Sequence, residues 1–228
     1  MQKIAWCFGV ILLMVFLFYP YEQAEPVSTP LTFPLAKMRI VLDAGHGGVD
    51  GGAVYGGVYE KEITLQITKW LRRYLEQAGA TVYMTREKDE DLARDDIKSV
   101  SRRKSEDIRA RVAFIDHKQA DLFLTIHLNA LDDSKWSGAQ TFYTTEKTLA
   151  EQIQASLRKQ LANTTRQALP IENIYILKET KTPGVLVEAG FLSNEKEREQ
   201  LVDETYQKKI AIAIYYGLLN NLGEEVNP

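Results

Sequence analysis

The chain has a single cysteine, Cys7, inside an N-terminal apolar run, so the rest of the sequence offers no thiol for a disulfide, a thiolate metal site or a nucleophile. Histidine is scarce too: only His46, His117 and His127 occur, and only imidazole and carboxylate chemistry remains. Nor is there an excess of positive charge. The 28 Lys and Arg residues face 31 Asp and Glu, a net charge of −3 with both signs interspersed. That balance excludes nucleic acid as a partner, which would require a basic face or stripe. Internal repeats and low-complexity tracts are absent from the domain. Its 228 residues accommodate one domain with a full core plus an appendage, not two catalytic domains.

From Ile4 to Tyr19 the chain is apolar after Lys3, interrupted only by Gly9 and free of acidic residues. As a helix this run would rise roughly 24 Å against a hydrocarbon core of ~30 Å, which suits a signal helix or a short anchor. Glu22, Gln23 and Ala24 make a poor cleavage site. Residues 1–19 are therefore expected to form an uncleaved membrane anchor or signal segment, with Lys3 inside and the domain exported. Pro20, Pro26, Pro30 and Pro34 space an extended tether over residues 20–36, and the folded domain is expected over residues 37–228.

Within the domain, strand-like runs alternate with helical patterns, the signature of an α/β sheet covered on both faces. Strands are expected at Arg39–Leu42, Thr81–Thr85, Leu122–His127, Gln140–Thr144, Ile174–Leu177 and Val185–Glu188. Helices are expected from Glu62 to a stop at Gly79, from Glu106 to Lys118 with Ile108, Val112 and Ile115 inward, along the stripe Leu149, Ile153, Leu157 and Leu161, and from Gln207 to Asn221.

Three apolar runs end in chemistry-bearing residues: Ile40-Val41-Leu42-Asp43-Ala44-Gly45-His46, Leu124-Thr125-Ile126-His127-Leu128-Asn129 and Val185-Leu186-Val187-Glu188-Ala189-Gly190. Loops at the carboxyl ends of strands are where open α/β sheets carry their sites. His46 lies among glycines that let a ligand approach the backbone. Asp43 either ligates a metal or orients His46. Glu60 follows a glycine-rich loop and opens a helix, where the dipole alone would favour a carboxylate, and Glu62 competes with it. His127 beside Asn129 is poorly explained by packing, whereas His117 closes an amphipathic helix and reads as structural. Glu188 follows a run too apolar for a charge without a metal, a proton or a partner; desolvation there raises its pKa as a general base requires. Arg102-Arg103-Lys104 reads as a solvated face or a weak attractor for an anionic polymer. Two imidazoles and two carboxylates in one cleft would make a hydrolytic metal centre.

Leu42-Asp43-Ala44-Gly45-His46-Gly47-Gly48-Val49-Asp50-Gly51-Gly52-Ala53 with Glu60-Lys61, then Thr125-Ile126-His127-Leu128-Asn129-Ala130, then Val187-Glu188-Ala189-Gly190-Phe191-Leu192-Ser193-Asn194 resemble the three motifs of the zinc-dependent N-acetylmuramoyl-L-alanine amidases, the Amidase_3 family of bacterial cell-wall hydrolases. The likeness runs from about Arg39 to Leu219. It implies a three-layer α/β/α sandwich with a mixed, mostly parallel central sheet. It further implies Zn2+ held by His46, Glu60 and His127, which favours Glu60 over Glu62, with Glu188 as the catalytic carboxylate. The implied reaction cleaves the amide between the lactyl group of N-acetylmuramic acid and L-alanine, on a peptidoglycan glycan strand with stem peptides. Leu128 stands where many members have a smaller residue, a departure that would narrow the cleft. The short N-terminal segment, the lack of wall-binding repeats, Tyr83-Met84-Thr85-Arg86-Glu87 and Lys135-Trp136-Ser137-Gly138-Ala139-Gln140 resemble the spore-cortex subgroup of endospore formers. That subgroup prepares muramic-δ-lactam together with a muramic-acid deacetylase, and implies action at the outer face of the cytoplasmic membrane, in the wall or in the forespore intermembrane space. The competing readings are another zinc hydrolase such as a carboxypeptidase, whose first His and Glu lie in one short motif, and a wall-binding regulatory module, in which a ligand or base should be missing.

Overall fold

The structure is a computed structural model that describes residues 33–223 and Met14. The expected anchor over residues 4–19 lies outside the residues described, apart from Met14; among the described residues no helix is long and apolar enough to cross a membrane.

In chain order the elements are β1 (Arg39–Ala44), β2 (Val54–Tyr55), β3 (Val58–Tyr59), α1 (Glu60–Gln77), β4 (Thr81–Met84), α2 (Val100–His117), β5 (Leu122–Asn129), β6 (Gln140–Tyr143), α3 (Lys147–Leu161), β7 (Leu169–Pro170), α4 (Tyr175–Glu179), β8 (Gly184–Phe191), α5 (Glu195–Leu201) and α6 (Glu204–Asn221). Six strands form one sheet in the order β4-β1-β5-β8-β6-β7. All neighbours run parallel except β6 against β8, so the sheet is mixed and mostly parallel.

Alternation along the strands divides the core in two. Ile40, Leu42, Leu124, Ile126, Val185 and Val187 pack with α1, α3 and α6. Val41, Phe123 and Leu186 face the other way, towards Ile115 of α2 and Ile176 and Leu177 of α4. The central strands β1, β5 and β8 are buried on both faces, which is why they read as unbroken apolar runs. The stripe Leu149, Ile153, Leu157 and Leu161 is buried as its spacing predicts.

Three expectations are corrected. Residues Ile174–Leu177 do not form a strand; the sheet edge beside β6 is taken by β7, and the adjacent pair Ile176 and Leu177 sinks into the core from the short helix α4. A short apolar run cannot distinguish these outcomes by periodicity. Helix α2 starts at Val100, not Glu106, because its first turns are solvent-facing and carry no apolar stripe. Its fully buried residues are Asp107, Arg111 and Ile115, while Ile108 and Val112 are half-buried. Leu35, assigned from sequence to the tether, is fully buried, and its N–H donates to the Ala78 carbonyl at the end of α1.

Candidate metal centre

Strand alternation sends Asp43, Thr125, His127 and Glu188 to the same face as Val41, Phe123 and Leu186, at the carboxyl ends of β1, β5 and β8. His127 and Glu188 are register partners on adjacent parallel strands, whose backbones run about 4.8 Å apart. Beyond them β5 and β8 shift register, and the irregularity ends regular pairing at the cleft. His46 arrives from the loop after β1, and Glu60 from the first turn of α1.

Three of the four predicted residues converge on one point. Glu60 Oε1 lies 3.1 Å from His46 Nε2 and 3.1 Å from His127 Nδ1. One ligand atom from each of the three residues lies within 4.8 Å of the others, a spacing that admits a single metal ion. The two rings meet edge to face, with centroids 4.9 Å apart. Glu60 is held on both oxygens: the Leu128 N–H donates to Oε1 at 2.9 Å and the Ala53 N–H to Oε2 at 2.9 Å. Glycines make the approach possible. A Cβ on Gly45 would come 2.4 Å from the His127 ring, and one on Gly52 would come 2.6 Å from Glu60 Oε2 and 2.7 Å from His46 Cδ2.

The electrostatics favour a cation at this point. Burial opposes ionisation of Glu60, yet hydrogen bonds and attraction from His127 and His46 hold its carboxyl well below the usual carboxylate range. Burial also opposes charge on His46, but Asp50 and Glu60 outweigh it and raise the ring to about 9. Glu188 differs from both. Burial pushes it up to about 7, and its Oε2 is buried without a hydrogen-bond partner. Such an orphaned oxygen facing the cluster suits a proton acceptor rather than a structural ion pair. The buried arginine that would have explained Glu188 away does not contact it.

Asp43 does not orient the His46 ring, contrary to one sequence expectation. The ring's Nδ1 pairs with Asp50 Oδ2 at 2.8 Å, and Asp50 in turn accepts from Lys104 Nζ at 2.7 Å. Asp43 instead accepts from Thr85, Thr125 and Arg111, which hold it at about 2 although burial alone would raise it. Arg111 and Arg86, each 2% exposed, donate to the carbonyls that lead into the His46 loop. Sequence reasoning missed Asp50, Lys104, Arg86 and Arg111. Only the position of Asp50, one helical turn's worth of residues after His46, carried a signal, and a glycine-rich loop gives that spacing no fixed meaning. His117 ends α2 and is not among the converging groups. Glu62 is likewise not among the converging groups.

Residues 40–220 match the family described as N-acetylmuramoyl-L-alanine amidase. The germination-specific N-acetylmuramoyl-L-alanine amidase of Bacillus subtilis is 44% identical over 234 residues, covering 100% of this chain and 98% of that protein. Among solved structures, the CwlD amidase from Clostridioides difficile in complex with the GerS lipoprotein is 42% identical with a TM-score of 0.79, covering 82% of this chain and 100% of that one. The catalytic domain of the amidase CwlV from Bacillus (Paenibacillus) polymyxa is 29% identical with a TM-score of 0.71, covering 82% and 99%.

Proposed function

Since this chain belongs to the N-acetylmuramoyl-L-alanine amidase family and is an amidase of that kind, we propose that it works through zinc held by His46, Glu60 and His127, with Glu188 as its general base and acid. The reading is supported above all by one observation: two imidazoles and a carboxylate meet within 4.8 Å, and the unpartnered Glu188 lies directly across the sheet register from His127. When bound, zinc would polarise the lactyl carbonyl and make a water more acidic.

The protein's own groups do the rest. Asp50 fixes the His46 ring through Nδ1 and leaves Nε2 directed at Glu60. The Ala53 and Leu128 amides lock the Glu60 carboxylate so that it cannot turn away. Glu188, raised to about 7, takes the proton of the attacking water and returns it to the departing L-alanine nitrogen. A proton acceptor matched to near-neutral pH loses little driving force in either direction.

The substrate in this proposal is the glycan strand with its stem peptides, cleaved between the lactyl group and L-alanine. The germination-specific Bacillus relative and the Clostridioides CwlD structure support a spore-cortex role, in which a muramic-acid deacetylase completes the muramic-δ-lactam. That role requires action outside the cytoplasm, at the outer membrane face, in the wall or in the forespore intermembrane space, with residues 4–19 as the tie to the membrane. Mass spectrometry of peptidoglycan digested by zinc-loaded protein tests it. Peptide-free muramic acid and free peptides beginning with L-alanine are expected; intact lactyl amides, or cuts between amino acids, would refute it.

A further inference from the structure

Of the three candidate ligands, His46 alone stands on irregular backbone: His127 belongs to β5 and Glu60 to α1. Its φ is +62°, in the left-handed region that non-glycine residues seldom adopt. A metal ligand on such backbone keeps its aim only if the surrounding structure over-determines it. Arg86 holds the carbonyls just before His46, and Arg111 is the side chain that bonds the His46 backbone itself. Arg111 Nη2 donates to the His46 carbonyl at 2.6 Å, and Nη1 donates to the Ala44 carbonyl at 2.8 Å and to Asp43 Oδ1 at 2.7 Å. Its Nε donates to Asp107 Oδ2 at 2.8 Å, within α2. Asp43 is itself pinned by the Thr85 and Thr125 hydroxyls at 2.7 and 2.6 Å. A sheet strand, a helix and the His46 loop are thereby tied through a single buried guanidinium.

We propose that Arg111, oriented by Asp43 and Asp107, is a positioning residue that sets the metal affinity of the centre by fixing the backbone of His46. The inference rests on the zinc reading above and goes beyond it. It assigns a role in metal binding to groups that touch no metal. The fork geometry is essential: a lysine is one point charge and cannot meet two carbonyls and two carboxylates at once. A purely structural Arg111 would contribute to stability but not to metal affinity. Partners that orient metal ligands from behind typically contribute 10–100-fold to affinity.

The test uses the full chain and measures the zinc dissociation constant by chelator competition, together with the visible spectrum of the Co2+-substituted protein. Arg111→Lys and Asp43→Asn are each expected to weaken zinc binding about 10–100-fold and to shift the Co2+ spectrum. Leu157→Ala, a fully buried truncation in α3, serves as the comparison, expected to lower Tm and leave both metal readouts unchanged. If Arg111→Lys does not fold, Asp43→Asn carries the test. Wild-type zinc affinity and an unaltered Co2+ spectrum in the folded variants would overturn the positioning role alone. A wild-type protein that binds no divalent metal would overturn the zinc reading, and this inference with it.

Discussion

In the proposed mechanism the chemistry turns on Glu188, and its surroundings make two predictions. Glu188→Gln keeps the shape but cannot accept a proton, so turnover of muropeptides should fall by about 10²–10⁴-fold while bound zinc, read by elemental analysis, stays at the wild-type level. The pH dependence follows from the raised pKa. A carboxyl accepts a proton only when ionised, so kcat/KM should rise with pH through the Glu188 pKa. Burial moves that point up to about 7, and a bound dication pulls it back down. The acid limb of kcat/KM is therefore expected between the ordinary glutamate value and about 7, and a limb above that window would contradict the assignment. Glu188 was legible in sequence because Val185-Leu186-Val187 leaves a following carboxylate without water. The partner of the His46 ring was not legible, because the choice between Asp43 and Asp50 depends on how a glycine-rich loop folds back.

At the scale of elements, β5 and β8 carry His127 and Glu188 side by side through register alone, whereas helix α2 behaves unlike its pattern. Its buried stripe includes Asp107 and Arg111, because the sheet end it covers presents Asp43 rather than an apolar surface. Periodicity of apolar residues cannot reveal a stripe that is half ionic. Helix α5, not foreseen at all, follows the same logic. Its Glu197 is buried and accepts from the Gly138 N–H at 3.0 Å and the Phe191 N–H at 2.9 Å, joining the loop after β5 to the end of β8. Glu197→Ala strands both donors and should cost about 1–3 kcal/mol in urea unfolding. An unchanged midpoint would show that water replaces the carboxylate at no cost.

For the whole molecule, an ion held at once by the loop after β1, by α1 and by β5 would link metal binding to stability. A ligand that binds only the folded chain stabilises it by about 2.7 kcal/mol at a hundredfold excess over Kd. For a domain of this size that corresponds to a rise in Tm of about 5–10 °C. Calorimetry with and without chelator should show this shift, and chelation should abolish amidase activity until zinc is restored. A Tm indifferent to zinc would argue against a shared site.

The sequence by itself determined the α/β class and singled out His46, His127 and Glu188 as candidates, while Glu60 was preferred to Glu62 only through the family motif. Strands buried on both faces must be continuously apolar, so the polar residues that end them stand out. It also determined the motifs through which the family is seen. Only the tertiary structure decided how those residues are held: Asp50 on the His46 ring, and Arg111 bonded to the backbone of a left-handed histidine. Groups 65 to 68 residues apart in sequence meet there because Arg111 of α2 reaches the end of β1 and the loop after it, and no local pattern encodes that contact. The same limit hid α4 and the ionic stripe of α2, whose conformation is set by what lies across the core rather than by neighbours along the chain.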